Sequence, residues 1–508
     1  MRSSNARKRS ALLERVLQAV ERFGNRIPDS FTLFLWIIGG LIVLSVVLSL
    51  AGAAVESPAT HKTIAVKSLL SAEALRWFLV SVMGNFTEFP PFGLILVLAM
   101  GVGVAQRTGL LETTIHHLVL GIPRWCVTLA LVFICFFSHV ASDVALLIMP
   151  AIGAMVFRAM GRHPLAGLCV AMAAVGGGYS ANFIIVGLDV VMAGLSTSAA
   201  RIANPDISVS PVDNWYFMVC SVFVLASLAV LITERVVEPR LGLYRGSTTK
   251  EVAEGTPRER RALRVTGLVV LVLVVLIAAA VALPHGILRD PKTDAVIGSP
   301  FLKGIAPLLF CIFVIAGTTY GAMMGTIRRP KDVGALIGQT VRELGGFIVL
   351  MFLIANFTAA LVWSNIGVVA ATAGAHLLID VGLTGAGAQF MLMAIGALVV
   401  IVIPSSSAAW ALLAPLFVPM FMLLGYQPAF TQLAMRVGLC SFIPISPINP
   451  FVPAAVKTGQ EYVPDLTYGQ FLSIMVPYVV SFMMAWPVLY FVFYAFNLPI
   501  GPGITPRF

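Results

Sequence analysis

Long apolar stretches follow one another along almost the whole chain. Full-length apolar runs lie at about residues 31–54, 92–106, 164–195, 214–233, 265–283, 304–325, 346–364, 429–456 and 469–496. Helices of about 20 apolar residues match a bilayer core about 30 Å thick. The pattern therefore predicts an all-α polytopic membrane protein with nine transmembrane helices.

Two further apolar runs, 125–160 and 388–425, are interrupted at their middle by small polar residues. The interruptions are Ser138-His-Val-Ala-Ser-Asp143 and Pro404-Ser-Ser-Ser407. A straight transmembrane helix has no need of such a cluster. A helix-turn-helix that enters and leaves by one face does, because the backbone at its tip must be satisfied by protein, ligand or water. We interpret both runs as re-entrant hairpins.

The two hairpins share their landmarks. In each, a serine at the tip (Ser142 or Ser407) precedes a proline by eight residues. Each hairpin is followed by a long helix that is broken, at 176–182 in the first half and at 444–447 in the second. Broken helices in paired repeats are typical of secondary transporters. The alternative is that the glycines and prolines only permit tight helix packing.

The composition makes lipid the expected solvent. Hydrophobic residues make up 59% of the 508 positions, charged residues only 11%, and the mean hydropathy is +0.95. A soluble domain carries roughly 25% charged residues, so an aqueous monomer could not hide this much apolar surface. We therefore expect the lipid bilayer as a partner of the chain.

The net charge of +10 is placed as the positive-inside rule expects. The basic clusters are Arg2, Arg7, Lys8, Arg9, Arg15, Arg22, Arg26, Arg235, Arg240, Arg245, Lys250, Arg258, Arg260, Arg261, Arg264, Arg328, Arg329, Lys331 and Arg342. Counting each hairpin as no net crossing puts them all in the cytoplasm, with a cytoplasmic N-terminus and a periplasmic C-terminus. The first hairpin then enters from the cytoplasm and the second from the periplasm, which predicts inverted repeats. This placement gives no reason to expect a nucleic-acid partner.

These observations divide the chain into six segments. They are a basic cytoplasmic tail and interfacial segment (1–30), a first transmembrane repeat with its hairpin (31–233), a cytoplasmic basic loop (234–264), a linking span with a periplasmic loop (265–303), a second, inverted repeat (304–496) and a periplasmic tail (497–508).

Two carboxylates, Asp143 and Asp189, lie in apolar surroundings. An ionised carboxylate there costs roughly 2.5 to 3.5 kcal/mol on insertion scales. Both are candidates for cation coordination or proton transfer. The alternative is a structural role, capping a hairpin turn or the start of a helix.

Hydroxyl and amide groups surround the two tips and the two breaks. We assign ion or proton coupling to Ser138, Ser142 and Asn182 together with the two carboxylates, and substrate binding to Ser405, Ser406, Ser407, Ser446 and Asn449. Freed carbonyls and polar oxygens suit a sodium ion, and helix N-termini favour an anionic group. The alternative for each serine is a hydrogen bond to the preceding helical turn.

Arg436 and Trp410 complete the candidate site. Arg436 lies inside a long apolar run and could form a bidentate pair with a substrate carboxylate. Its own helix offers no acidic residue within the following turn, so a structural partner would have to come from elsewhere. Trp410 could stack on an aromatic ligand or anchor the hairpin by packing.

Enzyme motifs are missing from the sequence. It contains no H-E-x-x-H, no G-x-S-x-G and no Walker A pattern. We therefore expect no enzyme activity and no cofactor, with a sodium ion as the one candidate, and an ion gradient as the source of energy.

Several stretches resemble the p-aminobenzoyl-glutamate transporter (AbgT) family. They are Ala-Ser-Asp143, Gly161-Arg-His-Pro-Leu-Ala-Gly167, Gly-Gly-Tyr-Ser-Ala-Asn182, Trp363-Ser-Asn365 and Trp410-Ala-Leu-Leu-Ala-Pro-Leu-Phe-Val-Pro-Met-Phe-Met-Leu-Leu-Gly425. The resemblance implies a dimeric inner-membrane transporter with nine spans and two hairpins. It also implies import of p-aminobenzoyl-glutamate, or export of sulfonamide antimetabolites, driven by a cation or proton gradient.

The resemblance also implies functional residues. The family's carboxylate, tryptophan, proline and arginine fall on Asp189, Trp410, Pro428 and Arg436. Four other positions depart from the family pattern, with Val400 in place of asparagine, Pro404 of glycine, Ala409 of lysine and Leu439 of aspartate. These changes predict fewer polar groups in the second half of the site.

The sequence thus predicts a secondary active transporter of a small, anionic, aromatic solute resembling p-aminobenzoyl-glutamate, coupled to a sodium or proton gradient. It would be a homodimer in a bacterial inner membrane. One alternative is a proton-driven exporter of sulfonamide-type antimetabolites. Another is a channel or a membrane receptor, against which the two matched hairpins argue.

Overall fold

The computed structural model describes residues 30–56, 63–120, 126–141, 143–244, 256–283, 285–294, 299–403, 405–446, 449 and 451–508. The predicted basic tail therefore lies outside the described residues up to residue 29, as does part of the predicted basic loop. The described part is helical apart from loops and one small antiparallel sheet, in which β1 (Ala54–Glu56) pairs with β2 (Thr63–Ala65).

The helices follow one another along the whole described chain. In order they are α1 (Ser30–Leu50), α2 (Ala72–Thr87), α3 (Pro90–Arg107), α4 (Leu110–Leu120), α5 (Val127–Phe137), α6 (Asp143–Ala159), α7 (Pro164–Met172), α8 (Gly187–Ala200), α9 (Trp215–Ile232), α10 (Glu238–Leu241), α11 (Pro257–Ala282), α12 (Pro300–Lys303), α13 (Ile305–Met324), α14 (Pro330–Glu343), α15 (Gly345–Trp363), α16 (Ile366–Asp380), α17 (Ala386–Val402), α18 (Ser406–Leu423), α19 (Pro428–Phe442), α20 (Phe451–Gln460) and α21 (Tyr468–Ala495).

Within the described ranges, five helices are long and apolar enough to cross a membrane. They are Trp215–Leu241, Pro257–Ala282, Ile305–Met324, Ser406–Leu423 and Tyr468–Ala495. A sixth is obtained if Pro330–Glu343 and Ile348–Trp363, which meet at 55°, are taken as one bent span. Four of the five coincide with predicted spans. The fifth is the second helix of a predicted hairpin, so the count of nine spans and two hairpins stays a prediction.

Both predicted helix breaks are confirmed. In the first half, α7 passes into a π-helical turn at Ala173–Gly177, and regular helix resumes only with α8. In the second half, α19 passes into a 3₁₀ turn at Ile443–Ile445, and α20 begins at Phe451. Pro444 lacks the backbone N–H that would continue the ladder, which explains why α19 ends there.

The interrupted apolar runs also fold as helix, turn and helix. The first consists of α5, a 3₁₀ turn at Ser138–Ala141 and α6. The second consists of α17 and α18, joined through Ile403 and Ser405. The order of hairpin, helix, break and helix is therefore the same in both halves. Their entry from opposite faces of the membrane remains a prediction.

The two halves interlock at their breaks. The second helix of each hairpin packs against the helix that follows the break of the other half, α6 against α20 and α18 against α8. The two breaks also touch, because a Cβ added to Gly176 would lie 3.2 Å from Cγ of Pro444. The interlock places residues from both halves around one buried centre.

Some elements lie outside the predicted apolar runs. The helices α2, α4, α14 and α16 fill stretches to which the sequence assigned no span.

The final segment folds back onto the protein. The carbonyl of Ile500 accepts the N–H of Phe217 at 3.1 Å, and the carbonyl of Pro506 accepts the N–H of Gln427 at 3.1 Å. The tail thereby holds the loop from which α19 begins.

Glycines bring each hairpin close to the broken helix of its own half. A Cβ on Gly167 of α7 would lie 2.1 Å from the carbonyl oxygen of Gly153 in α6, and a Cβ on Gly438 of α19 would lie 2.1 Å from that of Met393 in α17. Small residues allow such backbone contact between membrane helices. Here the requirement is steric, because a methyl group at either position would separate the helices.

We expect Gly167→Ala to destabilise the first half. The methyl group must push α6 and α7 apart, and overpacking of this kind costs roughly 1–3 kcal/mol. The thermal unfolding midpoint of the purified protein should fall. Gly338→Ala in α14 is the matched control, because a Cβ there meets nothing within 4 Å. An equal midpoint in the two variants would contradict the close contact.

Candidate functional site

Asp189 lies at the start of α8, where it has the capping role that the sequence gave as the alternative to ion or proton coupling; the coupling role stays a prediction. The carboxylate is 1% exposed, and its Oδ2 accepts the backbone N–H of Val186 at 2.8 Å. This is a structural cap at the first turn of a helix. Its other oxygen, Oδ1, accepts a hydrogen bond from Nη2 of Arg436 at 2.5 Å. Asp189 is thus both a cap and one half of an ion pair.

Arg436 finds its structural partner in the other half of the chain, 247 residues away. Its side chain lies on α19 and is 2% exposed. The guanidinium Nε is buried without a hydrogen-bond partner. A guanidinium carries five N–H donors in a planar fork, so one contact to Asp189 leaves donors for a second acceptor. Substrate binding by Arg436 therefore remains a prediction that this geometry permits.

A second buried polar pair, which the sequence analysis missed, lies one helical turn from the arginine. Gln432 accepts a hydrogen bond from Nδ2 of Asn214 at 2.5 Å, and both residues are 2% exposed. Nε2 of Gln432 and Oδ1 of Asn214 are buried without partners. Residues four apart share one face of a helix. The spacing of Gln432 and Arg436 in an apolar helix was the available signal.

Trp410 has a structural partner. Its indole is 0% exposed and donates Nε1–H to Oγ of Ser196 at 2.9 Å. The contact joins α18 of the second half to α8 of the first. This is the packing role that the sequence analysis gave as one alternative for Trp410, and stacking on a ligand is untested.

The tip serines of the second hairpin cap α18. The hydroxyl of Ser405 accepts the N–H of Ala408 at 3.4 Å and lies 3.1 Å from that of Ser407. Ser406 is buried, whereas Ser405 is exposed. Pro428 is the first residue of α19, where its missing N–H and fixed φ suit a helix start. Pro404 lies outside the described residues.

The polar residues of the second break satisfy the backbone around it. Ser446 Oγ donates to the carbonyl of Val400 at 3.5 Å. Asn449 donates Nδ2–H to the carbonyl of Ile443 at 3.1 Å and accepts the N–H of Phe451 at 3.0 Å. Both side chains are at most 3% exposed. They support the break, and their predicted contact with substrate is untested.

In the first half the candidate residues lie around His139, which was not predicted to belong to the site. Ser138 Oγ donates to the carbonyl of Cys135 at 2.7 Å, as expected of a serine bonded to the preceding turn. Asn182 Oδ1 lies 2.7 Å from Nδ1 of His139. The missed signal was a histidine in the middle of an apolar run. Ser142 lies outside the described residues, as does the side chain of Asp143 at the start of α6.

The structure thus joins some candidates and separates others. It pairs Asp189 with Arg436, Trp410 with α8, and Asn182 with the first hairpin tip. The serines of the second tip bond within their own hairpin. Both halves contribute to the ion pair, to the Trp410–Ser196 hydrogen bond and to the Asn214–Gln432 pair.

Comparison with known proteins agrees with this architecture. The model of the AbgT transporter family matches residues 15–508. The chain belongs to the AbgT family. It is 43% identical over 488 residues to the p-aminobenzoyl-glutamate transport protein of Escherichia coli K12, a match that covers 96% of each sequence. The family consists of transporters, not enzymes.

Two solved AbgT-family structures share the fold. The YdaH transporter of Alcanivorax borkumensis superposes with a TM-score of 0.89 at 34% identity, covering 94% of this chain and 100% of that one. MtrF of Neisseria gonorrhoeae, from a class of antimetabolite efflux pumps, also has a TM-score of 0.89, at 37% identity with 96% and 99% coverage. The expected membrane transporter architecture is therefore confirmed.

The departures from the AbgT family pattern have a structural counterpart. Val400, Ala409 and Leu439 are each 0% exposed and belong to the apolar core. Leu439 stands one turn beyond Arg436, at a position where the resemblance predicts an aspartate. The carboxylate that Arg436 binds comes from Asp189 in the first half. These three side chains contribute no polar group to the second half, and their departure from the family pattern stays a prediction.

We expect Asp189→Asn and Arg436→Gln each to destabilise the fold. Removing one partner of a buried ion pair costs about 3–5 kcal/mol, because it strands the other charge. The double variant removes both charges and keeps amide hydrogen bonding. Its unfolding midpoint should recover above that of Arg436→Gln, which strands the carboxylate. Additive losses in the double variant would show that the two side chains act separately.

Proposed function

We propose that this chain is a secondary active transporter of p-aminobenzoyl-glutamate or a closely similar small, anionic, aromatic solute. The similarity that carries the proposal is the 43% identity to the p-aminobenzoyl-glutamate transport protein of E. coli over 96% of both sequences. The buried Arg436–Asp189 pair supports it, because a guanidinium is the group best suited to a carboxylate ligand.

Transport by this site would work through an exchange of partners. The substrate carboxylate binds the free donors of Arg436, including Nε, and competes with Asp189 for the guanidinium. Asp189, once released, binds the coupling proton or sodium ion, because an unpaired carboxylate in apolar surroundings is unstable. Solute and ion thereby bind together, which is the requirement for coupled transport. The identity of the ion, sodium or proton, is left open.

The remaining candidates would shape the pocket around this pair. Trp410 forms a wall between the hairpin and α8, while Ser405, Ser406 and Ser407 supply hydroxyls at the second tip. Ser446 and Asn449 stabilise the second break by hydrogen bonds to backbone carbonyls. Ser138, Asn182 and Asp143 would hold the coupling ion in the first half, together with Ser142. We infer inverted repeats from the matching order of elements, with each half gating the common site from one side of the membrane.

The placement of charged residues supports a bacterial inner membrane location with a cytoplasmic N-terminus and a periplasmic C-terminus. We also propose assembly as a homodimer, with the exposed apolar helix α11 as a surface on which a second copy would pack. Its leucines 268, 271 and 276 are 61%, 58% and 61% exposed. Such a face has to meet either lipid or a second copy of the chain.

The alternative function is export of sulfonamide-type antimetabolites driven by protons. The likeness to MtrF favours it at the level of the fold. Expression in a sulfonamide-sensitive host separates the two functions, because an exporter raises resistance and an importer does not. A channel or a receptor would show no saturable flux that depends on an imposed ion gradient.

Uptake of radiolabelled p-aminobenzoyl-glutamate into proteoliposomes tests the proposal. With an imposed sodium or pH gradient, we expect Arg436→Ala and Asp189→Ala to lower uptake by at least about tenfold. Each removes a charge-assisted hydrogen bond worth roughly 1.5–3 kcal/mol, and 1.4 kcal/mol is about tenfold. Arg342→Ala, at an exposed arginine of α14, should transport normally. Normal uptake in both site variants would overturn the assignment.

A further inference from the structure

His139 lies at the tip of the first hairpin and is enclosed by the protein. It belongs to the 3₁₀ turn Ser138–Ala141 and is 2% exposed. Its ring stands edge-on to Phe136 and Tyr179, with centroid distances of 6.0 Å and 5.5 Å. A polar ring in such a position must satisfy both of its nitrogens within the protein.

Both nitrogens of His139 face oxygen atoms. Nδ1 lies 2.7 Å from Oδ1 of Asn182, and Nε2 lies 3.1 Å from the carbonyl oxygen of Val175. A neutral imidazole has one N–H and can donate to one of them only, whereas an imidazolium donates to both. An imidazolium would therefore satisfy both oxygens, whereas a neutral ring would leave one of them without a donor.

The side-chain amide of Asn182 allows a second arrangement of the hydrogen bonds around the His139 ring. Its Nδ2 is buried without a hydrogen-bond partner. The oxygen and nitrogen of an amide have nearly the same shape, and half a turn of the group exchanges them. After this turn, Nδ2 donates to the lone pair on Nδ1, and a neutral His139 donates Nε2–H to Val175. The same residues thus satisfy the ring with or without one proton.

We propose that His139 and Asn182 form a proton-binding switch at the first hairpin tip. A proton from water adds to the lone pair of Nδ1, the charge of the pair rises by one, and the amide turns so that its oxygen accepts the new N–H. The inference rests on the proposed ion-coupled transport and names a second proton-binding group beside Asp189, which in that proposal binds the coupling ion.

The switch is connected to the ion pair. Asp189 lies within electrostatic reach of His139, and Asn182 stands seven residues before it, in the segment that leads to α8. While Arg436 holds Asp189, the arginine charge offsets that of the carboxylate. When a substrate carboxylate takes the arginine, the charge of Asp189 is no longer offset and favours the binding of a proton, at His139 as well as at the carboxylate itself. Solute binding and proton binding then reinforce each other.

A cavity of about 630 Å³ reaches the same tip, with Ser138, Val140 and Ala141 among its lining residues. His117 of α4 is a described titratable side chain that lines it as well. The side chain of Asp143, on α6, is outside the described residues. His117 therefore provides the control histidine for any pH-dependent measurement.

Two substitutions hold the switch in opposite states. His139→Gln keeps an amide donor and acceptor but binds no proton, so it imitates the neutral ring. Asn182→Asp replaces the turning amide by a carboxylate that only accepts, so it holds His139 as imidazolium. His117→Gln leaves the switch intact. Asp213→Asn is a second control, because burial raises the pKa of this loop carboxyl to about 7.

Counterflow of p-aminobenzoyl-glutamate in proteoliposomes, measured without an ion gradient from about pH 5 to pH 8, the range over which histidine side chains change charge, provides the test. We expect wild type and both controls to change rate several-fold across this range. His139→Gln and Asn182→Asp should have flat profiles, and His139→Gln should also lose uphill uptake driven by a pH gradient. A wild-type pH profile in His139→Gln overturns the switch, as does a profile that disappears only in Asp213→Asn.

The failure of the proposed function would look different, because wild type would then show no saturable counterflow at all. In that case nitrogen-15 NMR of histidine-labelled protein tests the switch without transport. The signals absent from His139→Gln should change from imidazolium to neutral imidazole over the same pH range. One unchanging form throughout overturns the proposal. If His139→Gln does not fold, Asn182→Asp serves for both measurements, since it should show imidazolium at every pH.

Discussion

The buried pair between Arg436 and Asp189 is the constraint around which the two halves are arranged. Two charges taken out of water are costly, and their attraction repays the cost only if the geometry is good and the remaining groups are satisfied. One carboxylate oxygen meets the arginine and the other caps α8. Because the partners come from opposite halves, the pair forms only when both halves are folded and docked.

The rest of the centre can be understood as support for that pair. The broken helices bring their ends to the middle of the protein, and the glycine contacts keep each hairpin close to the break of its own half. Trp410 fastens α18 to the helix that carries the carboxylate. Val400, Ala409 and Leu439 are fully buried and add no polar group to the second half. Because the site contains few charged groups, each of them has a large effect on its electrostatics.

Features that are local in sequence could be predicted from it. The breaks at 176–182 and 444–447, the interrupted hairpins and the membrane character all follow from residue types within one turn or one apolar run. The pairing of Asp189 with Arg436 and the contacts of Gln432 and His139 could not be predicted, because these partners are distant in sequence and are chosen by packing. Helices such as α16 were missed because shorter apolar segments give no clear signal of a span. The count of nine spans depends on a membrane position that helix length alone does not decide.

The neutrality of the ion pair has an electrical consequence. A charge that crosses the bilayer feels the membrane potential, about 2.3 kcal/mol per elementary charge for each 100 mV. Arg436 and Asp189 offset each other's charge, so this pair would add no electrical work to the return of an empty carrier of the proposed kind. At the pair, voltage would then act on the loaded step alone, and the sign of its effect would report the sum of charge on the solute and the coupling ion.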